Sequence, residues 1–295
     1  MRSFGTQSKT ACAGADRVLP APGSFIKTRV TLGVASATCC IASLLCAQTN
    51  DLKQAGLWQL QGLRSSYCVH FLVNPEAGSK ELKQGLTAIR ASEDATLNPA
   101  LQQVVHSQPE FAGWTPSNLC LYYLDAVQVG KQRIVERDPR RYQLIGVWTL
   151  AAREAGGARR DFVVDMYASR ENLLDAAHVA EVRLHEMESA YYDHPDTTDD
   201  TYNLKIGKTQ LIWTGRAVGD SVRVQQPLTE QWSMEGLRHG LQPVRLVLTP
   251  LWSRALVGSL RVEGKGDLAK LLKASPIRFV GPLYRGGGGE LRFTR

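Results

Sequence analysis

The sequence predicts an α+β fold dominated by antiparallel β-sheet, a sandwich or a partly open barrel with two to four short helices. Three observations carry that expectation. Short runs rich in Val, Ile, Leu, Tyr, Phe and Trp recur along the chain, and turn residues separate them. Many of these runs place polar or charged residues at alternate positions, as antiparallel strands with one wet face do. Helical spacing of apolar residues is confined to a few short stretches.

Residues 1–47 read as an export leader. Arg2, Lys9, Arg17, Lys27 and Arg29 stand against Asp16 alone, and the uncharged run "VTLGVASATCCIASLLCAQ" follows. That order of a basic and then an apolar segment is a signal-peptide pattern, and the small Ala47 puts cleavage before Gln48. A retained membrane anchor is the competing reading, because the run approaches the length of a span. A lipoprotein at Cys46 is weaker, since the bulky Leu45 stands where a small residue is normal. The expectation is therefore a periplasmic or extracellular protein whose residues 48–295 form a single β-rich domain.

Cleavage removes Cys12, Cys39, Cys40 and Cys46 and leaves Cys68 and Cys120. An even pair in an oxidising compartment predicts one disulfide. Closing that loop would stabilise the fold by about 4 kcal/mol in the chain-entropy account. Neither cysteine has a Cys or His at a zinc-ligand spacing, so no metal site is built on them.

The first strand is "YCVHFLV" (67–73). A helix is expected over 80–91, where Leu82, Leu86 and Ile89 follow Ser79 at helical spacing, and another over 99–106, with Asn98 as cap and Pro99 at the first helical position. "LCLYYLDAV" (119–127) and "YQLIGVWTLAA" (142–152) read as strands, the second apolar on both faces and so central. "DFVVDMYA" (161–168) is a strand, and a helix follows over 170–180. Residues 181–192 either continue that helix or form a strand pairing with 202–213. Beyond 221 come "SVRVQ", "VRLVL", "ALVGSLRVEG", "PIRFVG" and "ELRFTR", interrupted by a helix over 267–274. The run "RGGGGE" (285–290) reads as a flexible hairpin loop joining the last two strands.

The triplet Gly207-Lys208-Thr209 does not make a nucleotide site. A phosphate-binding loop needs a glycine five residues before Gly207, and Tyr202 stands there. The residues after it, "TQLIWTG", are strand-like rather than helical, with Leu211 and Trp213 alternating against Gln210 and Ile212. A bend between two strands is the expectation. No cofactor motif is found, and nucleotides and nucleic acids are not expected partners.

Charge is distributed unevenly. Residues 221–295 hold 12 Lys+Arg against 5 Asp+Glu, whereas 48–220 hold 18 against 22. Arg223, Arg245, Arg261, Arg278 and Arg292 each sit between apolar neighbours inside a candidate strand, so they would share a wet face if those strands formed one sheet. Such a face suits an anionic glycan, a lipid headgroup or an acidic envelope protein. A solvated, aggregation-resistant surface is the bland alternative.

A second cluster is acidic. "HEMESAYYDHPDTTDD" (185–200) offers Asp193, Asp196, Asp199 and Asp200 to a hard cation, although the spacing matches no standard calcium or zinc pattern. No nucleophile motif occurs in 48–295, so no catalytic residue is assigned. His70 reads as a satisfied residue of an apolar strand, and the tryptophans as core or rim packing. The function expected from the sequence is a binding or structural module of the cell envelope or extracellular space. The alternative is an envelope-polymer hydrolase using Asp193, His194 and Asp196.

Overall fold

The computed structural model describes residues 56–294 apart from 84, 136–141, 194–198, 207, 238–239 and 276–277; side chains at 189–193, 199–204, 206 and 278 also fall outside that description. Residues Ala47–Arg295 form one compact unit. The expected leader lies outside the described residues. Among those described, no helix is long and apolar enough to cross a membrane.

Two strands build the spine. β1 (Leu57–Val73) and β3 (Thr115–Val129) pair antiparallel along nearly their whole length, from Trp58 opposite Val129 to Val73 opposite Thr115. β5 (Gln143–Glu154) adds to β3, and β6 (Arg160–Ala168) adds to β5. β6 then meets β11 (Leu228–Gly236) in parallel, β11 pairs with β12 (Gly240–Leu248), and β12 with β16 (Gly288–Phe293). β16 returns to β1, so seven strands close a ring. The sheet-dominated fold is the expected one, but the barrel is closed, and closure depends on the parallel contact between β6 and β11.

Alternation fills the interior. Trp58 and Leu60 from β1, Tyr122 and Leu124 from β3, Val147 from β5, Trp232 and Met234 from β11, Leu246 from β12 and Leu291 from β16 share one core. Helix α3 (Glu171–Val179) buries Leu173 and Ala177 in that core, beside Val182, which bridges to Gly236 at the end of β11. The other end, where β6 and β11 begin, is covered by a segment containing a 3-10 turn at Ala91–Glu93 and helix α2 (Pro99–Ser107). A small core of Leu72, Ala91, Leu97 and Leu101 fastens this cover to β1.

The outer face of β1, β3 and β5 is buried too. Strands β8 (Glu188–Asp193), β9 (Asp199–Ile206), β10 (Thr209–Arg223) and β13 (Trp252–Gly264) extend the same sheet beyond the barrel through β15 (Leu283–Arg285). Leu211 and Trp213 of β10 and helix α4 (Asp267–Ala274) pack on Tyr67, Val69, Tyr123 and Trp148. As expected, the residues after the triplet form a strand, with Leu211 and Trp213 buried and Thr209 opening β10; Gly207 lies outside the described residues. β8 pairs with β9, so 188–193 is strand and not helix.

Two further expectations need correction. The helix predicted over 80–91 is helix α1 at Pro75–Glu81, opened by Asn74, whose side chain accepts the Glu76 N–H at 3.0 Å. Leu82 turns extended, Gly85 takes φ +88°, and β2 (Leu86–Ala88) pairs with β5 instead of continuing the helix. The apolar spacing of Leu82, Leu86 and Ile89 thus reflects a turn and a strand edge.

The glycine run is no hairpin loop. β14 (Arg278–Val280), β15 and β16 all pair antiparallel with successive parts of β1, as one strand broken in two places. Gly286 (φ +84°) and Gly287 (φ +71°) make one of those breaks, and the Gly286 N–H donates to the Leu63 carbonyl at 2.7 Å. Only glycine reaches these backbone angles without strain.

Candidate active site

The barrel mouth holds a cavity of about 630 Å³ between the β-wall and the α2 cover. Its wall consists of strand side chains: Cys68 and His70 from β1, Asn118 and Cys120 from β3, Thr149 from β5, Asp161 from β6 and Glu230 from β11. Asp94, Thr96 and Leu97 come from the cover, and Arg159 from the residue before β6.

Glu230 is the chemically distinctive group. It lies two residues before the buried Trp232 on the same face of β11, so the strand carries a carboxyl into the barrel lining. Burial, reinforced by the charge of Asp161, pushes its pKa up to about 7, while hydrogen bonds from Trp232 and Tyr122 pull the other way. The Tyr122 hydroxyl sits 3.5 Å from Oε2, and its own pKa is driven well above the usual phenol value by burial and by Glu230.

Beside it runs an ion-pair chain. Arg159 reaches Asp94 at 3.2 Å and Asp161 at 2.8 Å. Burial works against the guanidinium charge, but Asp161 and Asp94 outweigh it and hold the arginine firmly protonated. Asp94 also accepts the Thr96 N–H at 2.9 Å and the Thr96 hydroxyl at 2.8 Å, which shapes the covering turn.

His70, which also lines the cavity, has its Nδ1 2.7 Å from Asn118 Oδ1, a carbonyl-type acceptor, so that nitrogen carries the proton. Burial lowers the His70 pKa, and the neutral ring is favoured. The expected satisfied histidine is therefore present, but it borders the cavity.

Cys68 and Cys120, Cα partners on β1 and β3, are joined by a disulfide. Among the described residues, one group of His, Cys, Asp or Glu donors converges closely enough to hold a metal ion: the two sulfurs and a Glu230 oxygen, all within 4.8 Å of one another. With the sulfurs bonded to each other they are not thiolate ligands. No lysine lines the cavity among the described residues.

The arginines singled out by sequence do not form one face. Arg245 and Arg292 are exposed Cα partners on the barrel strands β12 and β16, whereas Arg223 and Arg261 are exposed on β10 and β13, the strands beyond β15. Arg261 pairs with Glu263 at 2.9 Å, and Arg292 lies 3.6 Å from Glu290. The side chain of Arg278 falls outside the described residues. Alternation places a residue on a face of its own strand but does not say where that strand lies in the sheet, and here β12 and β16 lie in the barrel while β10 and β13 lie beyond β15. Asp193 and Asp200 are backbone partners in β8 and β9, with Asp199 beside them; their side chains, and the whole of His194 and Asp196, fall outside the description.

Sequence reasoning missed Glu230, Asp94, Arg159, Asp161 and Tyr122. For Glu230 a signal existed: in "LTEQWSMEG" the carboxyl shares its parity with Trp232 and Met234.

No protein-family model matches the chain, and no curated protein matches its sequence. Solved structures do resemble it. Acetoacetate decarboxylase from Legionella pneumophila aligns at TM-score 0.49 and 9% identity over 81% of this chain and 88% of that one. An acetoacetate decarboxylase-like enzyme from Sphingomonas wittichii aligns at 0.46 and 12% over 83% and 94%. The enduracididine biosynthesis enzyme MppR complexed with pyruvate aligns at 0.44 and 13% over 80% and 88%. At such identities the likeness concerns the fold, and those activities stay with those proteins. These neighbours are enzymes, where the sequence led us to expect a binding or structural module.

Proposed function

We propose that the chain is an enzyme that moves a proton on a small, polar, neutral or cationic substrate in the barrel-mouth cavity, with Glu230 taking and returning it. The position of Glu230 carries this reading: a carboxyl on the inner wall of a closed barrel, held near pKa 7 and opening on a cavity large enough for a metabolite. A group with that pKa serves as base and as acid at neutral pH. Asp94, Asp161 and ionised Glu230 outnumber Arg159, which disfavours an anionic substrate. The Asn118 and Gln231 amides and the Thr149 hydroxyl offer partners to a carbonyl or hydroxyl group. The basic and apolar pattern of residues 1–47 supports export, and we propose that the enzyme works outside the cytoplasm.

The test is α-proton exchange of small neutral ketones and amino ketones in D2O, followed by NMR for the native protein and Glu230→Gln. Exchange is expected with the native protein, to rise as pH passes through about 7, and to fall about a hundredfold in the variant, the low end of general-base contributions. Equal exchange by both proteins would overturn the reading.

A further inference from the structure

A bridge between β1 and β3 has little to hold together in the folded protein. The two strands already pair from Trp58 to Val73, and Cys68 and Cys120 sit in the interior of that ladder. Both cysteines line the cavity wall, on the same faces as His70 and Asn118. Cys68 is the more accessible, while Cys120 is buried. A Glu230 oxygen lies within 4.8 Å of both sulfurs. The bond is therefore open to a small molecule, stands beside a proton carrier, and is set in a wall that its cleavage leaves hydrogen-bonded.

We propose that the Cys68–Cys120 disulfide is a reactive group of this cavity, exchanging with a small-molecule thiol while Glu230 carries the proton between sulfurs. This rests on the reading of Glu230 as the proton carrier. Ionised Glu230 takes the proton of the entering thiol, whose sulfur attacks Cys68 Sγ. The Cys68–Cys120 bond breaks, a mixed disulfide forms at Cys68, and Glu230 delivers the proton to the departing Cys120 sulfur. A second thiol attacks the mixed disulfide, so two thiols are oxidised to a free disulfide and the protein pair is reduced to two thiols. The excess of carboxyl groups in the wall selects a thiol bearing a positive charge, such as an aminothiol.

The experiment treats the native, oxidised full chain with cysteamine or with mercaptoacetate, traps free thiols with N-ethylmaleimide and maps adducts by intact and peptide mass. The expected result is one cysteamine on Cys68 with maleimide on Cys120, formed without denaturant, and at equal thiolate concentration faster with cysteamine than with mercaptoacetate. Glu230→Gln should slow the reaction at least tenfold while melting as a folded protein. If that variant does not fold, the thiolate-corrected rate of the native protein should bend near pH 7. A bridge that opens only in guanidinium, an adduct on Cys120, no preference for the cationic thiol, or a rate indifferent to Glu230 overturns the proposal. The ketone assay contains no thiol and this one no ketone, so failure of either reading is recognised separately.

Discussion

Arg159 and Asp94 meet at 3.2 Å, and through that contact a guanidinium ahead of β6 fastens the cover of the barrel mouth to the barrel wall. The Asp94 side chain is 1% exposed, so its charge has little water to fall back on. Asp94→Ala leaves Arg159 with Asp161 alone and removes the acceptor for both Thr96 donors. A loss of about 2 kcal/mol is expected, below the full cost of breaking a buried pair because Arg159 is partly exposed. Urea unfolding measures the loss, and limited proteolysis should nick residues 91–114 first.

Stability should fall as pH rises from about 5 to 8. Glu230 has a folded pKa of about 7 against an ordinary 4.5, so its contribution is complete below the unfolded value and is lost as pH climbs through 7. At about 1.4 kcal/mol per pKa unit, the loss is at most about 3 kcal/mol. His185 acts in the same direction: its hydrogen bond to Asp165, at 2.9 Å, raises its pKa, and that stabilisation disappears as the ring loses its proton. Denaturant midpoints across pH 5–8 should slope downward for the native protein and flatten in Glu230→Gln.

A polar relay crosses the wall between β3 and β5. The Trp148 indole N–H donates to Ser117 Oγ at 3.0 Å, and the Ser117 hydroxyl donates to the Thr149 carbonyl at 2.8 Å, all buried. Ser117→Ala strands the indole N–H away from water. The expected cost is about 1–3 kcal/mol, read as a lower melting temperature with an unchanged far-ultraviolet spectrum.

Gly287→Ala should be among the most damaging small substitutions. The residue has φ +71°, and an added Cβ would collide with the Thr249 carbonyl oxygen. Neither the angle nor the backbone opposite can relax cheaply, so a loss of more than about 2 kcal/mol is expected. Gly85→Ala shares the positive φ but has open space around it, and should cost less when both variants are compared by scanning calorimetry.

Local signals were legible where they were complete. The Asn-Pro pair at 98–99 announces α2, and the same pair at 74–75 opens α1, where the apolar spacing of 80–91 pointed to the wrong stretch. The bulk of β5 is buried on both faces, as its apolar run required. The glycine run misled because a positive-φ glycine serves equally in a hairpin turn and in a break within one strand. What separates the two is the partner, and here the partner is β1, more than 200 residues away in sequence.

The sequence by itself determined the sheet-dominated class, the strand that carries Leu211 and Trp213, the helix over 267–274 and the pairing of Cys68 with Cys120. These follow from periods of two and 3.6 and from a count of thiols, all local quantities. Only the tertiary structure decided that β1 closes on β16, that Arg245 lies in the barrel while Arg261 lies on the strands beyond β15, and that Glu230 stands beside a disulfide in a cavity that His70 also lines. Alternation fixes which face a side chain takes, whereas strand neighbours are fixed by long-range pairing, and the cavity exists only where those neighbours meet.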